Sequence, residues 1–468
     1  MIVLMRKGRG AQPKQERHTS VEFQQQSCVL SAVGTDFKHK AMLKSVHAEE
    51  GLRAYLESLA PEDGFILGLI LGQRCQQHDY VIHLPPTPNF EYSDTEDDKP
   101  TNQVVKSLAD LNAHNLQSHV ENVSGLLSGG HNILGIYSVS KDSSINGVLD
   151  PSQLKKLESL TSKLSSQLPE KLVMHYNTAS KKATCKYLDS KSRLNNLDFK
   201  FQSNPIRWEE IDARFVFDFK IPLPAGGKGV TSTKTNLKAL LDEQEQLLKE
   251  AYCLIGGTVP NSESTLDSIS GGLGDEEESR LEAEFLIRGP TETSLTKMKC
   301  SGVLNVGGHV HSRTFLHPKT TVEDVVTCLK EDIIRSLRTR IDLHTDSLVE
   351  EEEGSPEERV IQHDLPRRVL FSLPYSAAKI SNYLLPGEES QDSQASLEQL
   401  LGFGFDDEAE ELEDEVEDPE LMLQPEDREM TPMGIEQASK PNNTALYIAI
   451  GALVLIFAIT ANVFLSSK

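Results

Sequence analysis

Apolar positions along the chain follow two periods, and the switches between them predict its elements. In AEEGLRAYLESL, Leu52, Tyr55, Leu56 and Leu59 fall at helical spacing and Pro61 stops the run, which predicts a helix from Glu50 to Leu59. GFILGLILGQ (64–73) and DYVIHL (79–84) are short apolar runs around a polar turn and predict a buried hairpin. A polar helix with Val104, Val105, Leu108, Leu111 and Leu116 follows, then LLSGGHNILGIYSVS (126–140), a Gly-Gly turn feeding a strand. LKKLESLTSKL reads as a helix, and KLVMHYN with TCKYLD as a second hairpin. FVFDFKIPLP (215–224) alternates most cleanly, with Asp218 and Lys220 on one side, and 236–254 is an amphipathic helix. After a Ser-, Gly- and Asp-rich stretch come the strands EAEFLIRG, VLNVGGHVHSRTFL and RRVLFSLPY, with a helix over 322–341 between the last two. Strands mixed with helices, several joined by short turns, predict an α+β protein with mixed α/β sheets.

The last apolar run differs in kind. Residues 444–465 carry no charge, and a helix of that length reaches roughly 33 Å, enough to cross a hydrocarbon core of about 30 Å. Thr444, Tyr447, Gly451, Phe457 and Leu465 mark this C-terminal transmembrane helix, with Tyr447 and Lys468 suited to the two interfaces. MIVLM is followed at once by RKGRGAQPKQERH without an apolar signal region, so the span is expected to be a tail anchor with the bulk of the chain in the cytosol. The predicted organisation is a disordered extension (1–44), an α/β domain (45–258), a linker (259–280), a second α+β domain (281–386), an acidic disordered tether (387–443) and the span (444–465).

Charge narrows the function. The formal net charge is −24, and fourteen acidic residues with one arginine lie between Asp406 and Glu429, so a nucleic-acid surface is not expected. The acidic run reads as a solvated spacer, although Phe403, Phe405 and Leu412 interleave with its carboxylates. Six cysteines are scattered without a C-x-x-C pair, as in a reducing compartment.

Candidate chemistry is sparse. The glycine-rich turns lack both the G-x-G-x-x-G spacing and a P-loop lysine, and Gly68 and Gly72 read as close-packing positions, so no cofactor is expected. His309 and His311 are two apart, so on a strand both imidazoles face one way, the arrangement with which a JAMM-type metalloprotease begins its zinc site. His317 is close by, but Thr320 and Glu323 are accounted for by a capping box opening the next helix. No metal and no catalytic residue is expected, and a membrane-tethered metalloprotease using His309 and His311 is the alternative.

AEEGLRAYLESL, GFILGLILGQ, DYVIHLPPTP, GLLSGGHNILGIYSVS and DLPRRVLFSLPYSAAKISNYLLPGEE, in this order and with the terminal span, resemble the odorant response abnormal protein 4 family from about residue 45 onward. The resemblance implies a non-enzymatic adaptor of the endoplasmic reticulum membrane that supports maturation and trafficking of seven-transmembrane receptors. It also implies a partnership with the protease of the ubiquitin-fold modifier, and a degenerate MPN-like N-terminal domain. Where an active MPN enzyme carries its H-x-H pair, this chain has Ser138 and Ser140, and serine hydroxyls cannot replace zinc-binding imidazoles. The resemblance further suggests pairing with the protease's own MPN-like domain, for which the expected surface is the helix from Glu50 to Leu59 with the turn Ser128, Gly129 and Gly130.

Overall fold

The first eight strands make one sheet, and their sequences show why. They are β1 (Ser45–Glu49), β2 (Phe65–Cys75), β3 (His78–His83), β4 (Val104–Val105), β5 (Asn132–Ser140), β6 (Lys171–Asn177), β7 (Lys182–Leu188) and β8 (Leu194–Gln202). The order is β3-β1-β8-β7-β6-β5-β2-β4, and β3 also pairs with β2, so the sheet curls back on itself. β2 is buried on both faces: Leu67, Leu69 and Leu71 enter one apolar cluster, and Ile66 and Ile70 the other. Gly68 sits between them because a Cβ there would stand 2.3 Å from Pro85 O and 2.4 Å from the Tyr137 ring. Helix α1 (Gly51–Leu59) seals one face with Leu52, Tyr55 and Leu56, while α2 (Ala113–Leu126) and α3 (Leu154–Thr161) pack on the other.

This computed structural model describes residues 43–413, apart from 90–101, 163, 165–167, 225–229, 271–279, 288–299, 352–361, 364 and 406–408.

The second sheet contains β9 (Glu209–Pro224), β10 (Tyr252–Ile255), β11 (Leu281–Leu286), β12 (Cys300–Leu316) and β13 (Gln362–His363), in the order β10-β11-β9-β12-β13. β9 and β12 form a long antiparallel ribbon, running from Glu209 opposite Leu316 to Pro224 opposite Cys300. Helix α4 (Val230–Glu250), the short α5 (Leu266–Ser270) and the 30-residue α6 (Val322–Glu351) accompany it. Phe215, Phe217, Phe219, Val306 and Val310 form one core with Leu237 and Leu241 of α4 and with Ile333 and Leu337 of α6. A third sheet, β14 (Arg367–Leu373), β15 (Ser376–Leu384) and β16 (Glu410–Glu411), lies with α7 (Ser390–Leu401) on the first sheet's larger core.

The architecture is mixed α/β, as the periodicities predict, but the domain boundaries differ. Residues 259–280 do not separate two domains, since β9 before them hydrogen-bonds to β11 and β12 after them. The segment is also pinned locally: Leu266 is buried, its N–H donates to Thr320 O, and Val322 N–H donates to Ser264 O. The expected helix over 236–254 ends at Glu250, and Tyr252–Ile255 is a strand. The acidic tether does not begin at 387, because Leu397, Leu401, Phe403, Phe405 and Leu412 all pack onto the core. The described residues form one compact unit that runs on to Glu413. At the other end Leu43 is already buried and Lys44 N–H donates to Gln77 O, so of the expected extension 1–42 lie outside the described residues. The span, with Thr444, Tyr447, Gly451, Phe457 and Leu465, also lies outside them. Among the described residues no helix is long and apolar enough to cross a membrane.

Candidate functional site

Three places drew chemistry or recognition from the sequence: the end of β5, the surface formed by α1 with the turn before β5, and the histidine pair on β12. At the end of β5 the strand lies parallel to β6, with Ser138 opposite His175. Ser138 Oγ is 2.8 Å from His175 Nδ1, and Ser140 Oγ is 3.3 Å from His175 Nε2. Ser140 donates its proton to Asp142 O, so towards the ring it accepts, and Nε2 carries the hydrogen. Nδ1 is then the acceptor for the Ser138 hydroxyl, whose oxygen also accepts Val148 N–H at 3.1 Å. Burial lowers the His175 pKa and keeps the ring neutral.

A serine hydroxyl donating to a histidine is the geometry of an activated nucleophile, but this one is shut. Ser138 is fully buried. Gly147, held at φ +50°, presses so close that a Cβ there would stand 2.2 Å from Ser138 Oγ. No substrate carbonyl can approach that oxygen without the turn moving. The residues that stand where the resemblance places zinc ligands are instead engaged in fixing the end of the sheet.

The turn Ser128-Gly129-Gly130 is not a surface. Ser128 is fully buried, and Gly129 N–H donates to Asp332 Oδ1 of α6 at 2.7 Å. A Cβ on Gly129 would stand 2.0 Å from Cys328 O, and Gly130 takes φ +84° against Leu316. Arg335 reaches over to donate to the carbonyls of Leu127, Ser128 and His131. These glycines allow α6 to pack against the first sheet, which is a joint inside the protein and not a docking face. Glu50 and Leu59 are half-buried; Glu50 pairs with Arg53 at 3.0 Å, and the Tyr375 ring lies over Gly51.

On β12, His309 and His311 lie opposite Val216 and Arg214. The His311 ring donates from Nδ1 to Leu412 O at 3.2 Å, and its Nε2 is 3.9 Å from an Asp212 carboxylate that Arg313 grips with two bonds. His317 stacks on Tyr80 at 4.0 Å between ring centres. Among the described residues no three His, Cys, Asp or Glu side chains are grouped to hold a metal.

Sequence reasoning missed a charged seam that fastens the C-terminal strands. Asp332 accepts from Arg368 Nη1 and Nη2 (2.6 and 3.0 Å), from the Ser312 hydroxyl (2.7 Å) and from Gly129 N–H. Burial alone would raise its pKa, but Arg368 and the hydroxyl hold it below the usual carboxylate range. Glu413 pairs with Arg340 at 2.7 Å and accepts the N–H groups of His311 and Arg368. Glu410 is held by Arg313 and by Lys379, and Glu411 by Arg367. The one available signal was the interleaving of Phe403, Phe405 and Leu412 with the carboxylates.

The C-terminus of α7 is capped by rings from three elements. Tyr55 donates to the carbonyls of Leu401 and Gly402, His83 Nε2 donates to Leu401 O at 2.9 Å, and His119 Nε2 to Leu400 O at 2.8 Å. Burial depresses the pKa of both histidines to about 4, and that of His131 to about 3, against an ordinary value of 6.5. Each group therefore takes up its proton more readily in the unfolded chain. Stability is full above pH 6.5 and falls as the pH drops through 6.5 towards 4. Replacing His119 by glutamine is expected to flatten that fall by up to one proton, measured as the slope of unfolding free energy against pH. An unchanged slope would show that His119 titrates alike in both states.

Residues 68–412 match the family described as odorant response abnormal 4-like. The protein odr-4 homolog of Xenopus tropicalis is 24% identical over 436 residues, covering 86% of this chain and 93% of that one. The Drosophila melanogaster homolog is 27% identical over 449 residues, covering 80% and 87%. Among solved structures, UfSP from C. elegans superposes with a TM-score of 0.40 at 13% identity, covering 78% of this chain and 57% of that one.

Proposed function

The chain belongs to the odorant response abnormal 4-like family, and from that footing we propose that it is a non-enzymatic adaptor of the endoplasmic reticulum membrane. It recruits the protease of the ubiquitin-fold modifier and supports the maturation and trafficking of seven-transmembrane, odorant-type receptors. The observation that carries this reading is the family match itself, which runs through strands of all three sheets. Relatives named as odr-4 homologs support the connection with odorant receptors. The closed Ser138–His175 pair supports an adaptor over a hydrolase, since a hydroxyl sealed beneath Gly147 has no face for a substrate. The degenerate MPN-like character assigned to the N-terminal half belongs to the same proposal, as does the membrane anchor at 444–465. No catalytic residue, metal or cofactor enters this role.

The test is made in cells lacking the chain. Restoring the full protein should return an odorant-type receptor to the cell surface and co-purify the modifier protease from membranes. A version lacking residues 444–468 should stay folded, move to the cytosol and fail to restore the receptor. A Ser138→Ala version should restore it as well as the parent does. Loss of rescue with Ser138→Ala in a folded protein, or rescue without any membrane association, would sink the reading.

A further inference from the structure

The second sheet has two faces, and α4 and α6 cover only one of them. On the covered face Phe215, Phe217 and Phe219 are buried. On the other, Val216 is 68% exposed, Tyr252 69% and Leu286 51%. These are not scattered. Tyr252 on β10 pairs with Leu286 on β11, and Val216 on β9 pairs with His309 on β12. β11 runs parallel to β9 with Ala283 beside Ala213, and extending that register places Leu286 beside Val216. Tyr252, Leu286, Val216 and His309 thus form one row across four strands. In the neighbouring row the same register sets Glu284 beside Arg214, which pairs with His311, and both charged residues are exposed. A further row along, Arg313 grips Asp212 and also bonds to Glu410 of the C-terminal strap, residues 409–413. In the row of Arg214 the strap touches only His311, whose ring and backbone N–H donate to Leu412 and Glu413, while Glu284, Arg214, Leu286, Val216 and Tyr252 are exposed among the described residues.

An isolated exposed apolar side chain needs no explanation, but a contiguous row at the middle of a sheet marks a place where something packs. The charges beside it select the partner. Glu282 and Glu284 disfavour an anionic membrane surface. Arg214 and Glu284 stand side by side with opposite sign, so the face is complementary to itself. Turning a second copy about an axis that runs along the strands between β11 and β9 lays Leu286 over Val216, and Glu284 over Arg214, each twice. We propose that this open face pairs with the same face of a second copy of the chain, as two sheets about 10 Å apart. Two rows at strand spacings of about 4.8 Å make a patch on the order of a few hundred Å² per copy. That lies below the size of a standard stable interface, so the dimer is weak and depends on concentration.

Sedimentation of the full chain in mild detergent tests this, together with differently tagged copies for capture. The mass should rise towards that of a dimer over a hundredfold range of concentration. Val216→Glu should hold the chain at the monomer, as should Arg214→Glu and Glu284→Arg, each by setting like charges or a bare carboxylate across the axis. Mixing the Arg214→Glu chain with the Glu284→Arg chain should bring association back, because each then meets an opposite charge on the other. That rescue also shows that both variants are folded. A wild-type chain that stays monomeric, variants that associate like the wild type, or a mixture that fails to associate would each overturn the proposal.

Discussion

Replacing Asp332 by alanine is expected to destabilise the protein by about 3–5 kcal/mol, among the largest effects of any single side chain here. The cause is less the lost attraction than what remains. Arg368 and Asp332 are each 1% exposed, so the guanidinium would be left inside the protein with no counter-charge. Gly129 N–H and the Ser312 hydroxyl would lose their acceptor as well. Arg368→Met should cost a comparable amount by stranding the carboxylate. The double variant Asp332→Ala with Arg368→Met should be less damaged than the sum of the two, because neither charge is then left unpaired. Urea unfolding of the four proteins closes the cycle. Single variants costing under about 1 kcal/mol, or a strictly additive double, would show that the pair is not what fastens α6 to β14. The Asp332 pKa is lower in the folded chain, so this contribution is present above the unfolded value of 3.8 and is lost as the pH falls through the folded one.

How legible all this was depended on how far apart in the sequence the partners lie. The hairpins β2–β3 and β6–β7 need only local information, apolar runs around a polar turn, and both are there. The ribbon of β9 with β12 joins residues about ninety apart, across a Ser- and Gly-rich stretch whose composition suggests a boundary. Ser128-Gly129-Gly130 has the composition of an exposed turn, yet what the glycines supply is room for Cys328 O some two hundred residues away. That serines and not imidazoles stand at 138 and 140, where the resemblance places zinc ligands, could be read directly from residue type. The His175 that occupies both hydroxyls could not, because it arrives on the next parallel strand. Acidic residues at 410–413 look solvated in one dimension, since Arg313, Arg340 and Lys379, which hold them, come from β12, α6 and β15.

A chain ending after Glu415 should keep a single cooperative unfolding transition, whereas one ending after Gly387 should not. The stretch between these points has the composition of a tether but the contacts of a core. Leu397 and Leu401 of α7 are fully buried, and burying a leucine side chain is worth about 1.5–3 kcal/mol. Phe405 lies against Phe371 of β14, and Phe403 against His83. Without α7, the buried Tyr55, His83 and His119 lose the carbonyls they donate to. Without Glu413, Arg340 stays in the interior with its counter-charge removed, a loss of several kcal/mol for that buried ion, and Arg313 is left with Asp212 alone. Against the roughly 5–15 kcal/mol that holds a typical domain together, no part of the fold should survive this as a fully native unit. Circular dichroism melts and limited proteolysis of the two truncations distinguish the outcomes. If the chain ending after Gly387 melts as sharply and as high as the one ending after Glu415, residues 388–415 are the spacer that their charge suggests, and α7 with its strap is an ornament on an already complete fold.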